Sequence, residues 1–216
     1  MDAVDEQAVI DLLGVLSYAE LTAFDRLAED ARLAPTLAGR AALARMAAAE
    51  IDHHVRLTAR LTELGADPMT AMAPFVPALD AFHESTRPRT WLEGLVKAYV
   101  GDGLASDFYR EIAAHLPDPD RALILDVLAD TGHADFAVRE VRSAIATDRT
   151  LSGRLALWGR RLVGEAVRQS QAVIAERDQL AALIVEGTGD FAGIARLIDR
   201  ITGAHTERME TLGLNP

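Results

Sequence analysis

AAAEIDHHVRLTARL, residues 47–61, is the stretch on which the reading of this chain turns. Leu43, Met46, Glu50, His53, Leu57, Leu61 and Leu64 recur at spacings of three and four, the face of one α-helix. That face would be an ordinary apolar core stripe were it not interrupted by an acid and an imidazole. Glu50 and His53, three residues apart, lie about 60° apart around the helix and so point the same way. A buried carboxylate is costly unless a cation or hydrogen bonds compensate it. A pair of this kind on a core stripe therefore calls for a partner.

The chain contains a second version of the pattern. LADTGHADFAV, residues 128–138, carries Asp130-x-x-His133 on the stripe Leu123, Val127, Asp130, His133, Ala137, Val141. Each version follows, about thirty residues downstream, an acid in another apolar helical run. Glu20 sits on Val9, Leu13, Leu16, Glu20, Phe24, Leu27, and Asp102 lies near Leu95, Val96, Tyr99, Gly103, Leu104. Acid, acid-x-x-His, acid, acid-x-x-His is the way a four-helix bundle assembles a two-metal carboxylate site. The axial heights agree, because Glu20 and Glu50 stand about 15 residues either side of Pro35, and Asp102 and Asp130 about 14 either side of Pro117. The motif alone is weak, since 33 acids in 216 residues put an acid three before a given histidine about one time in seven. Asp80-x-x-His83 is such a match, in a proline-rich connection, and is read as coincidence. In the third helix Asp107 also lies near the stripe. Spacing favours Asp102; the alternative is that Gly101-Asp102-Gly103 is an irregularity with Asp102 exposed. His54 is expected to face outward or to support its neighbour.

Breakers divide the chain. Helices are predicted over about 4–32, 36–64, 90–116, 119–147, 149–185 and 190–212, with Asp190 as an N-cap of the last. Gly65, Pro68, Pro74, Pro77 and Pro88 mark a long connection over about 65–89. The order short turn, long connection, short turn gives two antiparallel pairs joined by one crossover. This is an all-α, ferritin-like four-helix bundle with two additional C-terminal helices. We read one domain over 1–216, a core of about 4–147 and an extension of about 149–212. The extension either packs on the bundle or offers a homodimer surface.

Composition removes several classes of function. There is no cysteine, so disulfides, thiolate metal sites and cysteine nucleophiles are excluded. The acidic start MDAVDEQAVI is no secretory signal, and no apolar run is expected to approach the roughly 20 residues of a membrane span. A cytoplasmic protein without membrane partners is the expectation. The net charge of −11 lacks the basic footprint of a nucleic-acid binder. Arg154, Arg160, Arg161 and Arg168 are close in sequence and are read as a solvated helix face.

At these residues the chain resembles the ferritin-like di-iron carboxylate superfamily. More closely, LSYAELTAFDRLAEDA (16–31), EIDHH (50–54), VKAYVGDGLASDFYREIA (96–113) and ADTGHADF (129–136) resemble actinobacterial proteins grouped as MiaE-like. The resemblance covers roughly residues 5–147, with a similar two-helix tail. It implies metal ligands at Glu20, Glu50, His53, Asp102, Asp130 and His133, and a hydroxylase activity whose namesake acts on a methylthio-isopentenyl adenosine in tRNA. The family pattern has glutamate where this chain has Asp102 and Asp130. The acidic charge turns the expectation from tRNA toward a small-molecule or unknown substrate with dioxygen. Oxygen and nitrogen ligands without thiolates suit iron, with manganese as the alternative. In the two-iron reading Glu50 and Asp130 bridge, Glu20 and His53 complete one iron, and Asp102 and His133 complete the other. Tyr18, Tyr99 and Tyr109 are candidates for support of that centre or for core packing. The competing functions are an oxygen-dependent hydroxylase or oxidase, a peroxide- or metal-handling protein, and a metal-free helical interaction module.

Overall fold

The helices begin where side chains can satisfy the free N–H groups of a first turn. Thr36 accepts from Gly39 N at 3.0 Å, Asp67 from Thr70 N at 2.8 Å and Thr90 from Glu93 N at 3.2 Å. Each such cap contributes about 1 kcal/mol. In the computed structural model, residues 6–129, 133–175, 177–188 and 191–216 are described. The long helices are α1 (Glu6–Asp30), α2 (Leu37–Glu63), α5 (Trp91–Ala113), α8 (Thr150–Ala175) and α10 (Phe191–Thr211). Shorter ones are α3 (Pro68–Met72), α4 (Val76–Ser85), α6 (Asp118–Val127), α7 (His133–Thr147) and α9 (Asp178–Thr188). No strand occurs among the described residues.

Helices α1 and α2 form one closely packed antiparallel pair, and α5 with α6 and α7 forms the other. Gly65, with φ +76°, ends the turn after α2. Ion pairs Arg60–Asp120, at 2.7 Å, and Arg56–Asp126 tie α2 to α6. Trp91 meets Phe136 edge to face at 6.2 Å between α5 and α7. The C-terminal helices α8 and α10 pack along α5. The Met209 sulfur lies where a β-carbon on Gly159 would stand, so α8 and α10 approach closely.

Three departures from the sequence reading matter for function. The connection over 65–89 is helical: α3 and α4 lie on α1, held by Tyr18 Oη donating to Asp80 at 2.6 Å and by the His83–Thr22 contact at 3.1 Å. The predicted fourth helix is two, since α6 ends at Val127 and α7 starts at His133. The fifth is also two, α8 and α9, although its apolar periodicity runs through the junction. The N-cap expected at Asp190 lies outside the described residues. One helical stretch, Glu6–Leu33, is long and apolar enough to cross a membrane by length and composition, contrary to the sequence expectation, and half of its apolar window is buried inside the bundle.

The apolar core is in two parts. One joins Leu12, Leu13 and Leu16 of α1 to Leu57 and Leu61 of α2, Ile112 of α5 and Ile124 of α6. The other joins Leu27 of α1 to Leu43 and Met46 of α2, Leu95, Val96 and Val100 of α5, and Val141 of α7. Between them, on α1 and α2, stand Glu20, Glu50 and His53.

Candidate metal centre

Antiparallel packing of α1 and α2 brings together residues thirty apart in sequence. One donor atom from each of Glu20, Glu50 and His53 lies within 4.8 Å of the other two. His53 Nδ1 is 3.3 Å from Glu20 Oε2 and 3.7 Å from Glu50 Oε2. All three side chains are nearly enclosed, at 11%, 14% and 13% exposure for Glu20, Glu50 and His53. Burial, with the hydrogen-bonded Glu50 beside it, holds the Glu20 carboxyl well above the ordinary carboxylate range. Hydrogen bonds to Glu20 and Glu50 push His53 up to about 10, against the desolvation that would lower it. Two acids and an imidazole in an apolar core thus lack enough positive charge of their own. Their oxygen and nitrogen donors fit a divalent cation of the iron or manganese kind.

Asp102, the ligand predicted on the third helix, is placed differently. It is exposed and borders the cavity described below, outside this group of three. Asp107 is half-buried and paired with Arg208 of α10. The Arg208 side chain lies over Gly103, where a β-carbon would stand 2.2 Å from its Nε, so glycine makes room for a crossing arginine. The readings of Asp130 and of the His133 side chain lie outside the described residues; His133 is the first residue of α7. His54 Nδ1–H donates to the Ser17 carbonyl at 2.8 Å, fixing α2 to α1 one turn from Glu20. Tyr109 is buried, and that burial, with the neighbouring Glu20 acting in the same direction, raises its phenol above the usual value. Tyr99 packs partly into the second core cluster.

Sequence reasoning missed a cavity of about 360 Å³ that Glu20 and Glu50 border. Its walls are mainly apolar and come from α1, α2, α4, α5 and α7 through α10. Small side chains open it: Ala19 and Ala23 on α1, Ala98 and Ala105 on α5, Ala166 on α8. Their fourfold spacing on α1 was a legible signal, but only the helices opposite decide whether such a stripe meets a neighbour or leaves a void. Volumes near 300–1,000 Å³ with few convergent polar groups are typical of small-molecule sites.

A Glu/Glu/His group on two antiparallel helices of an all-α bundle is half of the ligand pattern of carboxylate-bundle proteins. The family described as "Ferritin-like domain, actinomycetes" matches residues 3–187, and the chain belongs to that family. No curated protein matches the chain.

Proposed function

We propose that the protein is an oxygen-dependent oxidoreductase, a di-iron hydroxylase or oxidase, acting on a largely apolar small molecule. The observation that carries this reading is the junction of two features: the Glu20–Glu50–His53 group and the apolar cavity those acids border. A protein that only stores metal has no need of the second feature.

Glu20, Glu50 and His53 would hold one iron. Asp102, Asp130 and His133 are proposed, from their spacing in the sequence, to hold the other. Bound as Fe(II), the pair would supply electrons for the reduction of dioxygen beside a substrate C–H bond. The chain's own contribution is positional. Apolar walls exclude water, which strengthens electrostatic interactions at the acids. The His54–Ser17 hydrogen bond holds the register of α2 against α1 and so the spacing of Glu20 from His53. Tyr109 closes the wall next to Glu20.

The arginines of α8 support a small substrate over tRNA. Arg154 pairs with Glu93 at 3.6 Å, Arg161 donates to Ser85 O at 2.7 Å, Arg168 pairs with Glu165 at 2.8 Å and Arg160 donates to Asn215 O at 2.9 Å. Each is engaged within the chain rather than presented as a phosphate-binding face.

Metal analysis of protein grown with iron, followed by oxygen uptake after anaerobic reduction, tests the proposal. Two irons per chain and oxygen uptake, both lost in His53→Gln, are expected. Folded protein that takes up neither iron nor manganese would refute it and leave an interaction module.

A further inference from the structure

Away from Glu20 and Glu50 the cavity is bordered by charged groups for which the metal centre has no use. Lys97 of α5 is buried, at 7% exposure. Its ammonium donates to Thr86 O at 2.9 Å and lies 5.4 Å from the centre of the Phe82 ring. That is one hydrogen bond among the described residues, for a group with three donors. Arg26 of α1 stands close enough for its charge to act on Lys97, and its Nη1 is paired with Glu29 at 3.0 Å. Asp30, one turn beyond, is the acid whose field favours the ammonium. The imidazole of His83, hydrogen-bonded to Thr22, stays neutral there, its pKa brought down to about 3 by burial and by these two cations. Lys97, Arg26, Asp30 and His83 all border the cavity.

Arg26 is paired with Glu29 through Nη1, but its buried Nε has no hydrogen-bond partner, and Lys97 uses one of its three donors. The site therefore offers unused cationic N–H donors to an incoming acceptor. A dianion would add repulsion from Asp30. Lys97 is brought down only to about 8, chiefly by burial, and so remains an ammonium at neutral pH. Capping the end of α4 at Thr86 accounts for one of its N–H groups and not for its place on a cavity wall.

The rest of the cavity is shaped for hydrocarbon. Along α1 its border runs from Val15 to Asp30, about 22 Å at the helical rise. Val167 of α8 and Ile198 of α10 border the cavity and are 39% and 46% exposed, so it reaches the surface past an apolar rim. Exposed aliphatic side chains at a cavity mouth suit a ligand that arrives apolar end or flank first.

We propose that the cavity binds an extended, largely apolar carboxylic acid, its carboxylate held by Lys97 and Arg26 and its hydrocarbon body lying along Ala19 and Ala23 past Glu20 and Glu50. This names the substrate class of the proposed oxidation and rests on that reading for what becomes of the ligand; binding itself needs no metal.

The test is calorimetric titration of the metal-free full-length chain with dodecanoate, dodecan-1-ol and dodecyl phosphate. Dodecanoate should bind at least about tenfold more tightly than the alcohol, a difference of about 1.4 kcal/mol, the scale of one charge-assisted hydrogen bond. Lys97→Met keeps the aliphatic stem and should erase that preference while leaving the alcohol unchanged. Arg26→Gln should reduce it, and serves as the deciding variant if Lys97→Met loses its helical circular dichroism. Equal affinity for acid and alcohol, tighter binding of the phosphate, a preference that survives the substitutions, or no saturable binding would each overturn the proposal. A carboxylate captured at His53 instead would survive Lys97→Met and so count against it. Dodecanoate binding by a chain that takes up no metal would keep the ligand site and discard the oxidation. Metal and oxygen uptake without dodecanoate binding would do the reverse.

Discussion

His83 lends itself to a quantitative prediction, because the fold holds it neutral over a pH range in which the unfolded chain protonates it. Its ordinary value is 6.5 and its folded value about 3. A lowered histidine contributes no penalty above its unfolded pKa; stability is lost as pH falls below 6.5 and continues to fall until about 3. At pH 5 the unfolded imidazole lies 1.5 units below its pKa, which makes folding less favourable by about 2 kcal/mol. Asp30 opposes this. Burial raises its carboxyl from 3.8 to about 6, so it favours the folded state as pH falls through 6. At pH 5 that gain is roughly 1 kcal/mol after allowing for its partial exposure. The wild-type change from pH 7.5 to 5 also contains the raised Glu20 and His53, which favour the folded state as pH falls, and is a poor test. The comparison with His83→Phe isolates the histidine. Whatever that substitution does at pH 7.5, the variant should gain about 2 kcal/mol on the wild type when both are taken to pH 5. For a chain of this size that is roughly 4–8 °C in melting temperature. Thermal unfolding of the metal-free proteins followed by circular dichroism at the two pH values reads it directly. A difference between variant and wild type that is the same at both pH values would refute the burial of a neutral His83 beside Lys97 and Arg26.

Adding Fe(II) or Mn(II) without oxygen should raise the melting temperature of metal-free protein. At a hundredfold excess over Kd the gain is about 2.7 kcal/mol, and Glu50→Gln or His53→Gln should remove it; an equal gain in those variants would place the metal elsewhere. A β-carbon on Gly14 would lie 2.5 Å from Ala71 O, backbone rather than a movable side chain. Gly14→Ala should thus lower stability by about 1–2 kcal/mol despite better helix propensity, while Gly164→Ala, with nothing within 4 Å, should raise it by about 0.5–1 kcal/mol. The pair fails as a prediction if both melting temperatures move the same way. Fluorescence titration with bulk tRNA at physiological salt should show weak or no binding; sub-micromolar, salt-sensitive binding would restore the nucleic-acid substrate.

The all-α fold and the partnership of Glu20, Glu50 and His53 were legible because both rest on local rules. A 3.6-residue period assigns each residue to a face, and Pro35 between two stripes of similar length sets the antiparallel pairing of α1 with α2. Two polar residues on a buried stripe then had to meet what stood at the same height. Helix three was harder because Asp102 and Asp107 compete for one face, and the choice depends on a residue a hundred positions away. Arg208 crosses Gly103 to reach Asp107, a contact no periodicity encodes. The same limit hid the helicity of α3 and α4. Proline at the first turn of a helix reads locally like proline in a loop, and only packing on α1 distinguishes them. Asp80 and His83 looked like a chance match and prove to be the contacts by which α4 seats on α1.

By itself, then, the sequence determined α1 and α2, their antiparallel pairing and the level at which Glu20, Glu50 and His53 enter the core, since these follow from spacing along one chain. Tertiary structure alone decided where apolar stripes meet and where small side chains leave a void. It also decided which buried charges, Lys97 and Arg26 among them, border that void. Contact between faces depends on distances across helices, and those are set by side chains far apart in sequence.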